Sequence, residues 1–230
     1  MQQQQKAFSP PPLRGDQRGL LLGQTGSGKS FMARHLLKVA RRAGWRLVIV
    51  DPKKGWMGRG KDRKPFAEKG EQSTVDRPVL VSDFNPHYPV QIFQPVEWDE
   101  TCDTFFREVM ETGNTFVYFD EITQLADATR VPLGFKVLWT QGRQNNVAAW
   151  CGSQRPKGIP LICKDQAEVW FIFRIKSLDD RKVVAGYVPV DETPELIEKQ
   201  IPLRWFWYYN DSLEKPVLVK PLAVKGGKNA

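Results

Sequence analysis

A chain of 230 residues is long enough for one α/β domain with a substantial core and too short for a motor domain joined to a second enzyme of ordinary size. Its 34 Lys and Arg against 26 Asp and Glu leave a formal charge of +8, which favours a polyanionic partner, although excess lysine also serves plain solubility. Cys102, Cys151 and Cys163 have neither zinc-ligand spacing nor the pattern of a disulfide framework, no stretch is apolar enough for a bilayer, and the N-terminus lacks a signal peptide's apolar centre. A soluble, intracellular protein with reduced, mostly buried thiols is expected.

Residues 1–18 combine a glutamine run with Ser9-Pro10-Pro11-Pro12, which can bury little and forbids regular helix, so they read as a flexible arm. The apolar run Gly19 to Leu22 then leads into Gly23-Gln24-Thr25-Gly26-Ser27-Gly28-Lys29-Ser30, and Phe31 to Ala43 continues with helical periodicity. Strand, glycine-rich loop and helix in that order make a phosphate-binding loop. The glycines let backbone amides turn inward around phosphate oxygens, Lys29 reaches the terminal phosphates, and the Ser30 hydroxyl serves Mg²⁺. A nucleoside triphosphate, with ATP and Mg²⁺ as cofactors, is the expected ligand.

Arg46 to Asp51 is an apolar run of strand length ending in a carboxylate and Pro52. The segment Lys53 to Lys64 is glycine-rich and basic, a loop composition. Lys53, Lys54, Arg59, Lys61, Arg63 and Lys64 suit contacts to a DNA backbone, and a solvated basic loop is the plainer reading. Short strands are expected at Val79 to Val81 and Val90 to Phe93. Cys102, Phe105, Phe106, Val109 and Met110 then mark a helix that Gly113 stops.

Thr115 to Phe119 is the next strand, and Asp120 and Glu121 follow it directly. Asp120 would help to hold Mg²⁺ through its water shell, while Glu121 would polarise a water for attack on the γ-phosphate. Leu133 to Gly142 predicts a helix and Val147 to Cys151 a strand. If that strand lies between the other two phosphate-site strands, Gln154 projects toward the γ-phosphate as a sensor of its presence. Arg143, between helix and strand, is poorly placed for its own nucleotide and better placed for a neighbour's.

Val169 to Ile175 predicts a strand near the sheet's edge. Arg204 to Tyr209 predicts a last strand whose aromatics pack on the body or, on a second reading, stack on bases. Residues 19–210 form the expected domain and 211–230 a basic C-terminal tail. Alternating strands and helices imply a mainly parallel central sheet covered on both faces.

The phosphate loop, the strand Phe116-Val117-Tyr118-Phe119-Asp120-Glu121 and the stretch from Gly142-Arg143 to Ser153-Gln154-Arg155-Pro156 together resemble the FtsK/HerA superfamily of DNA-pumping ATPases. By size the chain is most similar to the small genome-packaging ATPases of tectivirus-like viruses with internal membranes. The resemblance spans about Gly19 to Ile175 and implies a RecA-like (ASCE) P-loop fold. It also implies a homo-oligomeric ring, usually a hexamer, with ATP between subunits and double-stranded DNA in the pore. Carried over, Lys29 and Ser30 bind phosphate and Mg²⁺, Glu121 is the catalytic base, Gln154 the sensor and Arg143 the trans-acting finger. Asp51-Pro52 matches the usual ending of that family's second strand.

With no room for a nuclease or a DNA-orienting domain, the expectation is a motor that fills a preformed capsid, with portal or vertex proteins as partners. It would work in the infected cell's cytoplasm or at the virion packaging vertex, without membrane insertion. A conjugation-type transfer ATPase and a nucleotide-switched phage assembly protein are the alternatives.

Overall fold

The computed structural model describes residues 12–56, 78–189 and 195–221. Among the described residues, nine strands form a single sheet. In chain order they are β1 (Arg18–Leu22), β2 (Arg46–Val50), β3 (Val79–Val81), β4 (Val90–Phe93), β5 (Thr115–Asp120), β6 (Val147–Ser153), β7 (Val169–Phe173), β8 (Phe206–Asn210) and β9 (Val217–Val219). Their spatial order is β3-β4-β2-β5-β6-β1-β7-β8-β9. The first seven positions pair in parallel, and β8 and β9 close one side antiparallel.

Strand alternation sorts the core into two layers. Leu20, Leu22, Val48, Val50, Val117 and Phe119 face one side, where α2 (Glu100–Thr112), α3 (Leu133–Gln141), α4 (Leu161–Asp165) and α5 (Leu178–Ala185) contribute Phe106, Leu138, Cys163 and Val184. Leu21, Leu47, Ile49, Phe116 and Tyr118 face the other, against α1 (Lys29–Arg42) through Met32, Ala33, Leu36, Leu37 and Ala40. The short α6 (Glu195–Glu198) precedes β8. Central strands buried on both faces have no polar alternation to display, which is why they read as continuous apolar runs.

Helix ends follow local chemistry. The Asp99 carboxylate accepts the Cys102 N–H at 3.0 Å to start α2. Gly113 ends it with φ +65°, a backbone conformation that a side chain disfavours. Arg41 and Arg42 sit in the last turn of α1, at the negative end of its dipole.

Three expectations are corrected. β7 does not lie near the edge: it pairs with β1 on one side and β8 on the other, and every residue in it is buried. The one basic residue in the run from Val169 to Ile175, Arg174, comes after the strand has ended. The body also runs past 210, because β9 pairs with β8, so residues 217–219 belong to the sheet rather than to a tail. Ahead of β1, Gln17 is buried and Leu13 packs on the α1 layer, so residues 13–17 are part of the body rather than of an arm. The aromatic strand is core: Phe206, Trp207 and Tyr208 are buried, and Phe206 and Tyr208 pack on Phe171. All three cysteines are buried and free. No helix among the described residues is long and apolar enough to cross a membrane.

Candidate nucleotide site

Parallel strands carry their C-terminal ends to one edge of the sheet, and the site is assembled there from β1, β2, β5 and β6. β6 lies between β5 and β1, in register from Thr115 opposite Val147 to Asp120 opposite Gly152 and from Arg18 opposite Ala149 to Leu22 opposite Ser153. Residues just past these strands therefore converge on the loop between β1 and α1. A cleft of about 290 Å³ is lined by Gln24, Thr25, Gly26, Gly28, Lys29, Ser30, Lys53, Asp120, Glu121 and Gln154.

The loop is tied at both sides. Gly23 N–H donates to the Ser153 carbonyl (3.1 Å) and Gln24 N–H to the Arg174 carbonyl (2.9 Å). Gly28 adopts φ +115°, a conformation that calls for glycine, and a Cβ there would also crowd the Phe173 ring at 3.1 Å. The Lys29 ammonium folds back onto the Gly23 carbonyl at 2.6 Å. Burial lowers its pKa, the Glu121 and Asp120 carboxylates oppose that, and Lys53 adds to it.

Glu121 sits just beyond β5 with φ +80° and is 8% exposed. Its Oε1 accepts from Ser153 Oγ (2.9 Å), Thr123 Oγ1 (2.9 Å) and the Gln154 N–H (3.2 Å), and its Oε2 accepts from Lys53 Nζ (3.1 Å). Burial pushes the carboxyl pKa up, but these donors together outweigh it and hold the group below its ordinary value. A carboxylate kept charged beside a phosphate loop can accept a proton from water once one of its oxygens is free of protein donors. Asp120 goes the other way: burial raises its pKa, the Trp56 side chain opposes, and nearby Asp51 adds to the rise. The Gln154 amide oxygen accepts from Thr25 Oγ1 at 2.8 Å, linking the end of β6 to the phosphate loop.

The hydroxyl of Ser30 and the carboxylate of Asp120 are hard oxygen donors of the kind Mg²⁺ takes together with phosphate oxygens and water. Among the described residues no group of three or more His, Cys, Asp or Glu could hold a metal by itself. Beside the cleft, sharing Gly28 with it, an apolar cavity of about 330 Å³ is lined by Phe31, Met32, Phe173, Arg204, Phe206 and Pro221.

Arg143 lies apart from this cleft. It belongs to a 3₁₀ turn, Gly142–Asn145, ahead of β6, at the opposite edge of the sheet. The seven residues of β6 put about 20 Å between it and Gln154. Its guanidinium pairs with Glu168 at 2.6 Å and donates to the Gln166 carbonyl at 3.2 Å. Of the residues assigned to DNA, Lys53 reaches into the nucleotide cleft, Lys54 is exposed with φ +56°, and Arg59, Lys61, Arg63 and Lys64 lie outside the described residues.

Sequence reading missed Ser153, Thr123 and the role of Lys53. Ser153 and Thr123 carried a weak signal, as hydroxyls close to Gln154 and Glu121 in the chain.

Residues 8–132, more than half of the chain, match the family described as the Type IV secretion-system coupling protein DNA-binding domain. The chain belongs to that family. It is also 29% identical over 180 residues to the DNA packaging ATPase P9 of Enterobacteria phage PRD1, covering 76% of this chain and 71% of P9. Its fold is that of the genome packaging NTPase B204 of Sulfolobus turreted icosahedral virus 2, with a TM-score of 0.72 at 15% identity over 92% of this chain and 99% of that one. The pCW3 conjugation coupling protein TcpA superposes with a TM-score of 0.59 at 17% identity, over 89% of this chain and 60% of TcpA. The RecA-like P-loop architecture of a mainly parallel sheet, expected from the sequence, is therefore borne out.

Proposed function

We propose that this protein is an ATP-driven translocase of double-stranded DNA that packages a viral genome into a preformed capsid. The observation that carries the reading is the hydrolytic cleft: Glu121, charged and oriented by four donors, lies with Lys29 around a phosphate loop in a chain similar to the PRD1 packaging ATPase over three quarters of its length. Lys29 and the loop amides bind the phosphates, Ser30 and Asp120 hold Mg²⁺, and the neighbouring apolar cavity takes the base. When bound there, Mg²⁺ would neutralise charge on the phosphate oxygens. Glu121 accepts the proton of the attacking water, and Gln154 reads the γ-phosphate and passes its state to Thr25.

Packaging requires processive movement, and a closed ring, a hexamer in the usual form, provides it. The distance of Arg143 from its own cleft supports a role on a neighbouring subunit's nucleotide, where a guanidinium stabilises transition-state charge. Contacts with DNA fall to the basic segment that includes Arg59, Lys61, Arg63 and Lys64. A vertex or portal protein is the capsid-side partner, and the host cytoplasm or the packaging vertex is the place of action.

A second reading, conjugative DNA transfer, is favoured by the coupling-protein family match and the TcpA likeness. Packaging is preferred because a relative at 29% identity over three quarters of this chain, P9 of phage PRD1, is a DNA packaging ATPase.

The test is ATP hydrolysis with and without linear duplex DNA. Stimulation by DNA of any sequence, falling steeply with salt, is expected. Hydrolysis indifferent to DNA but responsive to a protein partner would instead mark a nucleotide-switched assembly protein.

A further inference from the structure

The Lys53–Glu121 contact joins groups 68 residues apart. Lys53 is placed with care. Asp51, wholly buried at the end of β2, accepts the N–H groups of Gly55 (3.0 Å) and Trp56 (2.9 Å) and the Gln94 amide (3.1 Å). Trp56 is in turn buried edge-on against Tyr118 of β5, with the Arg34 guanidinium over its ring. The turn after β2 is thus folded back on itself, and it carries the Lys53 stem over the cleft that Lys29, Ser30, Asp120 and Gln154 also line.

Both oxygens of Glu121 are occupied by protein donors, and a carboxylate in that condition has little capacity for the proton of a water. The donors to Oε1 are difficult to displace. Ser153 is fully buried in β6, Thr123 lies two residues along the same segment, and the third donor is backbone. The donor to Oε2 is an ammonium on a flexible chain that is 38% exposed. Oε2 is therefore the oxygen that can be freed. A γ-phosphate held by the loop brings more negative charge than a carboxylate into the same cleft, so it competes for that ammonium.

We infer that Lys53 is a γ-phosphate-responsive latch on Glu121: without a γ-phosphate it holds Oε2, and with ATP bound it turns to the γ-phosphate and releases Oε2 to the attacking water. Activation of the base then depends on the phosphate to be removed, and the ADP state returns Glu121 to its lock. Lys53 accordingly serves the nucleotide, not the DNA backbone to which its basic neighbourhood had pointed. The inference rests on the ATP-hydrolysing reading of this cleft.

The experiment compares wild type, Lys53→Met and Lys53→Arg in full-length protein. It measures affinity for ADP and for a non-hydrolysable ATP analogue, kcat for ATP, and the salt dependence of duplex DNA binding. In Lys53→Met, ADP affinity should stay within about twofold of wild type. Analogue affinity should fall about 10–100-fold, the worth of one charge-assisted contact, and kcat should fall with it. Lys53→Arg should recover part of the preference for triphosphate, which a merely structural role would not predict. An unchanged preference for analogue over ADP overturns the inference, as do equal losses for both nucleotides. A DNA salt slope reduced by about one at unchanged kcat overturns it too, and assigns Lys53 to a DNA phosphate. A wild type that hydrolyses no ATP would defeat the functional reading itself, a distinct outcome.

Discussion

Around the phosphate loop, past the C-terminal ends of β1 and β2, two ammoniums are held by partners that can leave, whereas at the N-terminal end of β1 a guanidinium is held by backbone carbonyls that cannot. Lys29 lies on loop carbonyls and Lys53 on Glu121, and under the proposed function both ammoniums would exchange those contacts for phosphate. Arg18, at the start of β1, is wholly buried and donates to the carbonyls of Leu138, Trp139, Gln17 and Val147. Burial brings its pKa down to about 10, with the nearby Arg143 guanidinium contributing. It thereby caps the Trp139 carbonyl at the end of α3 and adds a second donor to the Leu138 carbonyl, which already accepts the Gly142 N–H, next to the turn that carries Arg143. Between these extremes Arg143, half-exposed, shares Glu168 with Arg14. One edge of the sheet is arranged for exchange and the other for position, with Arg143 as the group on the fixed edge that retains some freedom.

The strongest way to break that contrast is at the exchange edge. Lys29→Ala should abolish measurable ATP binding, while Glu121→Gln should keep ATP binding and lower kcat by about 10²–10⁴-fold, because only water activation is lost. Equal losses of affinity in a nucleotide-binding assay would remove Glu121 from the role of base.

Arg143→Ala tests whether the fixed edge acts on a neighbour. Near-normal ATP affinity with kcat lower by about 10³-fold is expected. Mixing Arg143→Ala with Glu121→Gln should return part of the activity, since some interfaces then combine an intact Glu121 with an intact neighbouring Arg143. Mixtures as inactive as either parent, in rings shown to be mixed, would count against action in trans. Doping each variant into wild-type rings then separates that result from strict coordination of all subunits.

Arg18→Met should leave nucleotide affinity almost unchanged and cost about 2–3 kcal/mol of stability, the scale for stranding buried carbonyls. Chemical denaturation measures the loss, and a change below about 0.5 kcal/mol would mean that α3 does not depend on the guanidinium.

The smallest expected effect is a pair of opposite shifts at neighbouring carboxyls. The Asp120 pKa is raised in the fold, so its contribution to stability falls as pH rises through its unfolded value toward the folded one. The Glu121 pKa is lowered, so its contribution is present above the unfolded value and is lost as pH falls through the folded one. Near pH 7 and without nucleotide, Asp120→Asn should stabilise the protein by about 0.5–2 kcal/mol and Glu121→Gln should destabilise it by a comparable amount. Melting curves of the two variants shifting in the same direction would contradict the assignment.

Much of the nucleotide site was legible along the chain because its parts are local. A phosphate loop consists of contiguous residues whose spacing is set by the turn itself, and Asp120 and Glu121 follow β5 directly. The apolar runs of β1, β2, β5 and β6 were equally plain, since strands covered on both faces must be apolar throughout. The short α4, α5 and α6 were not placed. At five, eight and four residues they span too few turns for an apolar stripe to stand out.

The sequence by itself determined that a phosphate loop opens a helix and that carboxylates end an apolar strand, because backbone conformation and alternation depend on near neighbours. Tertiary structure alone decided that β6 stands between β5 and β1, which brings Gln154 to Thr25 and Ser153 to Glu121. It likewise put β7 inside the sheet, turned Lys53 from a basic loop onto a carboxylate, and sent Arg18 under the end of α3. Each of these depends on pairing between strands far apart in the chain, and such pairing is selected by the packing of whole layers rather than by any local run of residues.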